Sequence, residues 1–308
     1  MAAITSSQIT SLLYPGLNAL LLELDTYPNQ YKQIYKTRKT NQVTVYDLEM
    51  QSFGLPGLME EGAPAPETYY QQSPNRTAYV IKTYGMSTAI TANAIEDNLY
   101  KDQFPQIKQQ IKASFDTNDN ILAMNPINNA FSGANGTMAA DGQPLCSTAH
   151  PIANGQTYSN TFPNGVSFNL AALQEAIVAI KSFTNYVGHP INVNPEALLG
   201  SQNMVFSFSV IRNSKMDPTT TNNAINPINY DNWLPKGAII NNFIKNPNAW
   251  FVLTDAELGF THYVKGPDTH VIDYMTDTQT DNVIIKAKKR QVFGYTNPKC
   301  IFGSRGPI

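Results

Sequence analysis

Three groups of reactive side chains lie close enough in sequence to suggest chemistry. The segment Asp141–His150 (DGQPLCSTAH) sets the Cys146 thiol, the Ser147 hydroxyl and the His150 imidazole within ten residues. A Cys–His hydrolase needs an imidazole to deprotonate the thiol, and in known folds that histidine usually lies elsewhere in the chain. The alternative is a surface loop whose cysteine is a small buried filler. His262, Asp268 and His270 suggest a metal site but lack the compact spacings of one, so ordinary strand or loop histidines are the better reading. Glu60–Glu61 and Glu96–Asp97 are neighbouring acids, which point apart on a strand or a helix and make poor acid/base dyads. Glycine-rich dinucleotide, Walker-type and nucleophile-elbow motifs are missing from the sequence. No catalytic residue, cofactor or metal is expected; the chain does not read as an enzyme. Lys286, Lys288, Lys289 and Arg290 form the one basic cluster. It could face phosphates, but a charge run on a strand is more often a solvated face, and four charges do not bind tightly at physiological salt.

The elements that would carry these residues follow from periodicity. Thr10–Leu24 reads as a short helix interrupted at Pro15. Asn41–Met50 and Thr77–Tyr84 alternate like strands, and the Gly/Pro/Gln-rich stretch between them makes a long hairpin-like excursion without a core of its own. Asn93-x-x-Glu96 resembles a capping box. Ile95, Leu99, Phe104, Ile107, Ile111, Phe115 and Leu122 then give the strongest helical signal, with Pro105 either kinking that helix or opening a new one. A second helix is predicted over Asn169–Val187, with Gly188 as its cap. Asn213–Lys236 reads as loop. Strands return at Trp250–Thr254, His270–Met275 and Asn282–Gly294; in the last, Val283, Ile285 and Ala287 share one face, and Lys286, Lys288 and Arg290 the other. The class is α+β.

The 308 residues suffice for one large domain or two modest ones. Charged residues make up only 14%, net charge is −2, and 32 Asn with 17 Gln fill much of the gap. There is no basic excess to hold a nucleic-acid backbone by charge alone. So little charge fits a surface covered by partners, or an extracellular protein adapted to low charge. Two distant cysteines make no disulfide framework, the start of the chain lacks the basic segment of a secretory signal, and its apolar stretch is too short to span a bilayer. These features point to a reducing cytoplasm.

Four segments taken in order resemble the major capsid proteins of tailed bacteriophages, built on the Hong Kong 97 capsid fold. Thr83–Tyr100 is similar to that family's passage from its extended loop into the spine helix. Asn128–Ser132 with Asp141–Pro151 resembles the "DG-x-PL-x-S-x-x-H" stretch after that helix. Asn169–Gly188 followed by Pro195–Met204 resembles the second helix and the crossing into the next subdomain, and Asp281–Ser304 the closing strand with its "GS" tail.

The resemblance implies an N-terminal arm (1–40), an extended loop (41–85) lying across a neighbouring subunit, and a peripheral domain (86–190). It further implies an axial domain (191–250) and return strands with a C-terminal tail (251–308). It implies a major capsid protein that self-assembles as hexamers and pentamers into an icosahedral shell around double-stranded DNA, located in the virion and assembled in the bacterial host cytoplasm. Expected partners are further copies of the chain, a separate scaffolding protein, a portal, a decoration protein as an optional addition, and DNA held without sequence specificity. No membrane is involved. The extended loop has no lysine between Lys39 and Lys82, so its tip lacks the nucleophile for the isopeptide cross-link that some relatives form. The tip residues Phe53, Leu55, Leu58 and Met59 are the expected intersubunit contact, and Lys286, Lys288 and Arg290 the candidate DNA-facing residues. The rival readings are an encapsulin-like nanocompartment shell of the same fold and a Cys–His hydrolase centred on Cys146 and His150.

Overall fold

The computed structural model describes residues 29–48, 55–59, 61–62, 64–65, 76–93, 104–152, 155–218, 224–267, 271–277, 279 and 281–307. The expected helix at Thr10–Leu24, Phe53, Glu60, the pair Glu96–Asp97, Asp268 and His270 lie outside them.

After a short 3-10 turn at Gln30–Gln33 come β1 (Lys36–Lys39), β2 (Thr44–Leu48), β3 (Arg76–Val80) and β4 (Lys82–Ile90). The predicted single strand Thr77–Tyr84 is thus two, broken at Ile81, whose N–H donates to the Val43 carbonyl at 2.9 Å. Helix α1 (Phe104–Asn128) carries Pro105 as its second residue, where a missing N–H costs nothing. The small pair β5 (His150–Pro151) and β6 (Thr157–Tyr158) precedes α2 (Leu170–Lys181). Asn169 caps α2 by accepting the Ala172 N–H at 2.7 Å. The helix ends at Lys181, short of the predicted Val187, because Phe183 turns into the core and Thr184 bridges to Pro190. Gly188, with φ +94°, serves the reverse turn between them rather than the helix end.

The chain continues through β7 (Pro195–Gly200), α3 (Val205–Asn213), α4 (Pro227–Tyr230), β8 (Gly237–Ile240) and β9 (Trp250–Thr254). It closes with β10 (Phe260–Val264), β11 (Val271–Thr276), β12 (Val283–Tyr295) and β13 (Ile301–Ser304). The segment predicted as loop over Asn213–Lys236 therefore holds one short helix, α4, and a bridge between Met216 and Ile225. β7 has a helix-like composition (PEALLG) but becomes a strand because β8 and β9 flank it on both sides.

The residues fall into two compact units. One comprises Met1–Val45, Tyr79–Ala123 and His262–Phe293; the other comprises Tyr46–Ala78, Met124–Thr261 and Gly294–Ile308. The first unit contains most of a five-stranded sheet in which β12 pairs antiparallel with both β11 and β4. Along β12, Ile285, Ala287, Lys289 and Gln291 are buried while Lys286 and Lys288 are exposed, the period-two pattern of a strand covered on one face. That pattern corrects the basic cluster: Lys289 belongs to the buried side.

The second unit is built on the sheet β13-β9-β7-β8, with β7 and β8 parallel. Leu173, Ala176, Ile177 and Ile180 of α2 form one core with Leu198, Trp250, Val252, Phe302 and Phe208. Full burial of such side chains is worth roughly 1.5–3 kcal/mol each. Gly303 is obligatory here: a Cβ would sit 2.6 Å from the Phe251 ring and 2.9 Å from Cys146 Sγ.

Candidate functional site

The hairpin-like excursion is made of β2 and β3, which pair with each other as a two-stranded sheet. Its strands turn Asp47 and Tyr79 inward and leave Tyr46, Leu48 and Val80 in solvent. The Arg76 guanidinium covers the Tyr46 ring at 3.6 Å from its centroid, a cation–π contact that holds the two strands in register. At the tip, Leu55, Leu58 and Met59 are all exposed, Leu58 to 93%. Three of the four expected contact residues thus stand clear of any core in the single chain, and Phe53 lies outside the described residues.

A second apolar surface was missed in the sequence. On α3, Phe208 and Ile211 enter the core while Phe206 is 83% exposed, with Val210 one turn further on the same outer face. The run VFSFSV alternates like a strand, and this hides the i,i+4 pair. Buried Asn226 fixes the following loop, donating from Nδ2 to the carbonyls of Ile211 at 2.6 Å and Ser214 at 2.9 Å. Met216, Ile225 and Tyr230 stand exposed around it.

The structure separates the basic residues of β12. Lys286 and Lys288 are exposed, and Lys288 approaches Asp273 at 3.6 Å. Arg290 is half-buried, and its Nε finds no hydrogen-bond partner among the described residues. Lys289 donates to Asp119 at 2.6 Å in an ion pair that is almost fully enclosed. Gln291 Nε2 donates to the other oxygen of Asp119, and its Oε1 lies 2.9 Å from His262 Nε2. His262, raised above as a metal ligand, is therefore a core histidine stacked on Phe293 at 4.0 Å. Groups of three or more potential metal ligands are not found among the described residues.

The Cys146–His150 segment also resolves into structure. His150 engages Asp141 through Nδ1 at 2.6 Å and Asn160 through Nε2 at 3.2 Å, so neither ring nitrogen is left to act as a base for Cys146. Burial pushes the Cys146 thiol well up, and the neighbouring Cys300 adds to the shift. Burial likewise pushes up Cys300. Both thiols are held protonated and unreactive, the opposite of an activated nucleophile. Among the described residues, no helix is long and apolar enough to cross a membrane.

A sequence profile of the family described as phage capsid protein matches residues 75–303. The fold is similar to a solved structure from Mycobacterium phage Adephagia (11% identity, TM-score 0.56, covering 100% of this chain and 99% of the other). It is similar also to one from Microbacterium phage Oxtober96 (15%, TM-score 0.51, 98% of both chains). The holo-SrpI encapsulin complex from Synechococcus elongatus PCC 7942 has the same likeness (9%, TM-score 0.54, 92% and 89%). No curated protein matches the sequence. At these identities the likeness to solved structures is one of fold, the α+β capsid fold of the Hong Kong 97 type. The family match, over residues 75–303, decides the rest: the chain belongs to the phage capsid protein family, as a shell protein of the virion.

Proposed function

We propose that the chain is a major capsid protein that closes an icosahedral shell of hexamers and pentamers around double-stranded DNA. One observation carries this reading: an excursion of the chain ends in Leu55, Leu58 and Met59, exposed to solvent with no core of their own. Apolar side chains presented in this way are completed by another surface, and a shell offers the same neighbour to every copy. Residues 41–85 act as the extended loop laid across the adjacent subunit, and 1–40 as the N-terminal arm. Residues 86–190 with 251–308 form the peripheral and return elements. Residues 191–250 form the axial domain, so Phe206, Val210 and Tyr230 meet their counterparts near the capsomer centre. Lys286, Lys288 and Arg290 face the interior and soften the repulsion between wall and packaged DNA.

On this reading the protein performs no catalysis. Its partners are further copies of itself, a scaffolding protein, a portal and the packaged genome, and assembly takes place in the host cytoplasm. Negative-stain imaging and sedimentation of the protein produced alongside its scaffold test the proposal. Closed shells containing nucleic acid are expected. A stable 34 kDa monomer at high concentration, with no particles, overturns it. Closed shells that hold protein cargo and no nucleic acid would instead place the chain with nanocompartment shells.

A further inference from the structure

In the first compact unit β4 pairs with β12 without interruption, and the register places Thr83 opposite Arg290, Gly85 opposite Lys288 and Ser87 opposite Lys286. Residues directly opposed in an antiparallel pair share a face. That face sets three long cations along one strand beside three small, exposed residues on the next, an open trough floored by β4. β11 pairs with the same stretch of β12 from its other edge, so Asp273, which answers Lys288 at 3.6 Å, lies across β12 from the trough. Gly85 keeps the trough open. Its φ is not left-handed, its ladder carries no bulge, and a Cβ there would meet the Ala287 carbonyl oxygen at 3.3 Å and nothing else within 4 Å. A glycine inside a regular strand weakens it and often marks close approach by a ligand or another backbone. At the head of the trough stands Arg290. Among the described residues its guanidinium has no hydrogen bond or ion pair, and its Nε is shut off from solvent with its N–H unpaired.

We propose that Arg290, with the Thr83 hydroxyl beside it, is a seat for one phosphate of a nucleic-acid backbone, and that the bound strand continues along the trough under Lys288 and Lys286. This rests on the reading of the chain as a shell around DNA, and adds a specific contact to the diffuse attraction of a charged wall. Alternate residues of a strand are about 6.7 Å apart. The three cations thus repeat at close to the separation of successive phosphates along one nucleic-acid strand. A guanidinium offers Nε and a terminal nitrogen as a fork that matches two oxygens of one phosphate, which an ammonium cannot do. A buried N–H without an acceptor is unfavourable. A modest swing of the side chain towards β4, giving Nε a phosphate oxygen, is therefore favoured over its position in the free chain. A carboxylate from another protein chain would call for one cation, whereas a row at strand spacing over small residues fits a repeating polyanion. The contact reads no sequence, since every nucleotide presents the same phosphate.

Fluorescence anisotropy of a labelled oligothymidylate, titrated with the unassembled full-length chain, tests this. From about 20 to 200 mM salt, log K should fall against log salt with a slope of about −2, the value for three phosphate contacts on a single strand. Arg290→Lys keeps the charge and loses the fork, so affinity should drop about tenfold at an unchanged slope. Arg290→Gln should also lower the magnitude of the slope by about 0.7. Thr83→Val should cost about threefold, and Lys245→Gln, exposed in the second unit, nothing. Identical binding by the unaltered chain and Arg290→Lys overturns the proposal, because it leaves only diffuse charge. Absence of binding at the lowest salt overturns it too; if Arg290→Lys then weakens shells instead, the seat belongs to a carboxylate of a neighbouring copy. Should an Arg290 variant fail to fold, the slope of the unaltered chain and Thr83→Val decide. Failure to form DNA-filled shells would strike the shell reading and leave this titration standing.

Discussion

β9 and the β2–β3 excursion are both built of short strands rich in apolar and aromatic residues, yet they end in opposite environments. All five residues of Trp250–Thr254 are buried, between β7 and β13 within one chain. The excursion leaves Tyr46, Leu48, Val80, Leu55, Leu58 and Met59 in solvent. The first region is finished by its own subunit. On the proposed function the second is finished by another copy, so damage to each should appear in a different measurement.

Replacing Gln51–Asn75 with a short Gly-Ser turn should have the largest effect. The subunit should unfold at an unchanged temperature, while stable shells disappear from electron micrographs. Shells of undiminished stability would erase the distinction between the regions. The next test compares two neighbours on β12. Lys289→Ala strands the buried Asp119 carboxylate and should cost about 3–5 kcal/mol of subunit stability in denaturant titrations. Lys288→Ala, whose ion pair is exposed, should stay within about 0.5 kcal/mol. Similar costs for the two would mean that the faces of this strand are not as different as their burial. A smaller effect is expected for Leu58→Ser: monomer stability unchanged, and shell contacts weakened by roughly 1.5–3 kcal/mol per copy if the side chain is fully buried in the shell. Dissociation of assembled particles reads this. Smallest is the triple change of Lys286, Lys288 and Arg290 to Gln, which should permit shell formation and reduce DNA retention under osmotic stress. Normal retention would place that face at a subunit contact or in plain solvent.

Much of this contrast was legible in the sequence, for a physical reason. Strands with strict alternation or continuous burial, such as β12 and β9, announce themselves because one residue in two, or every residue, answers to the core. The Gly/Pro-rich tip with its four apolar residues was equally plain. What stayed hidden depends on distant partners. β1 is charged at three of four positions and is a strand because β10 offers it a ladder. β7 takes its conformation from the strands on either side. Lys289 sits among other cations in sequence, and only the register of β12 against Asp119 shows it to be an internal residue. Cys146 and His150, neighbours that suggested catalysis, are each committed elsewhere: the thiol is buried against Gly303, and the imidazole engages Asp141 and Asn160.

The asparagines carry a consequence of another kind. Asn160, Asn226 and Asn128 brace the second unit by bonding to backbone groups far away in sequence; Asn128 donates to the Phe243 carbonyl at 3.0 Å and accepts the Lys245 N–H at 2.9 Å. A carboxamide carries no net charge, so an ionic atmosphere does not screen what it holds, whereas the attraction of an exposed ion pair weakens as added salt shortens the Debye length. The exposed pairs among the described residues are Lys236 with Glu196 and Lys288 with Asp273. A subunit cross-braced in this way keeps the same internal geometry in dilute and in concentrated electrolyte. Ionic strength is then free to act on contacts between subunits without loosening the bricks themselves.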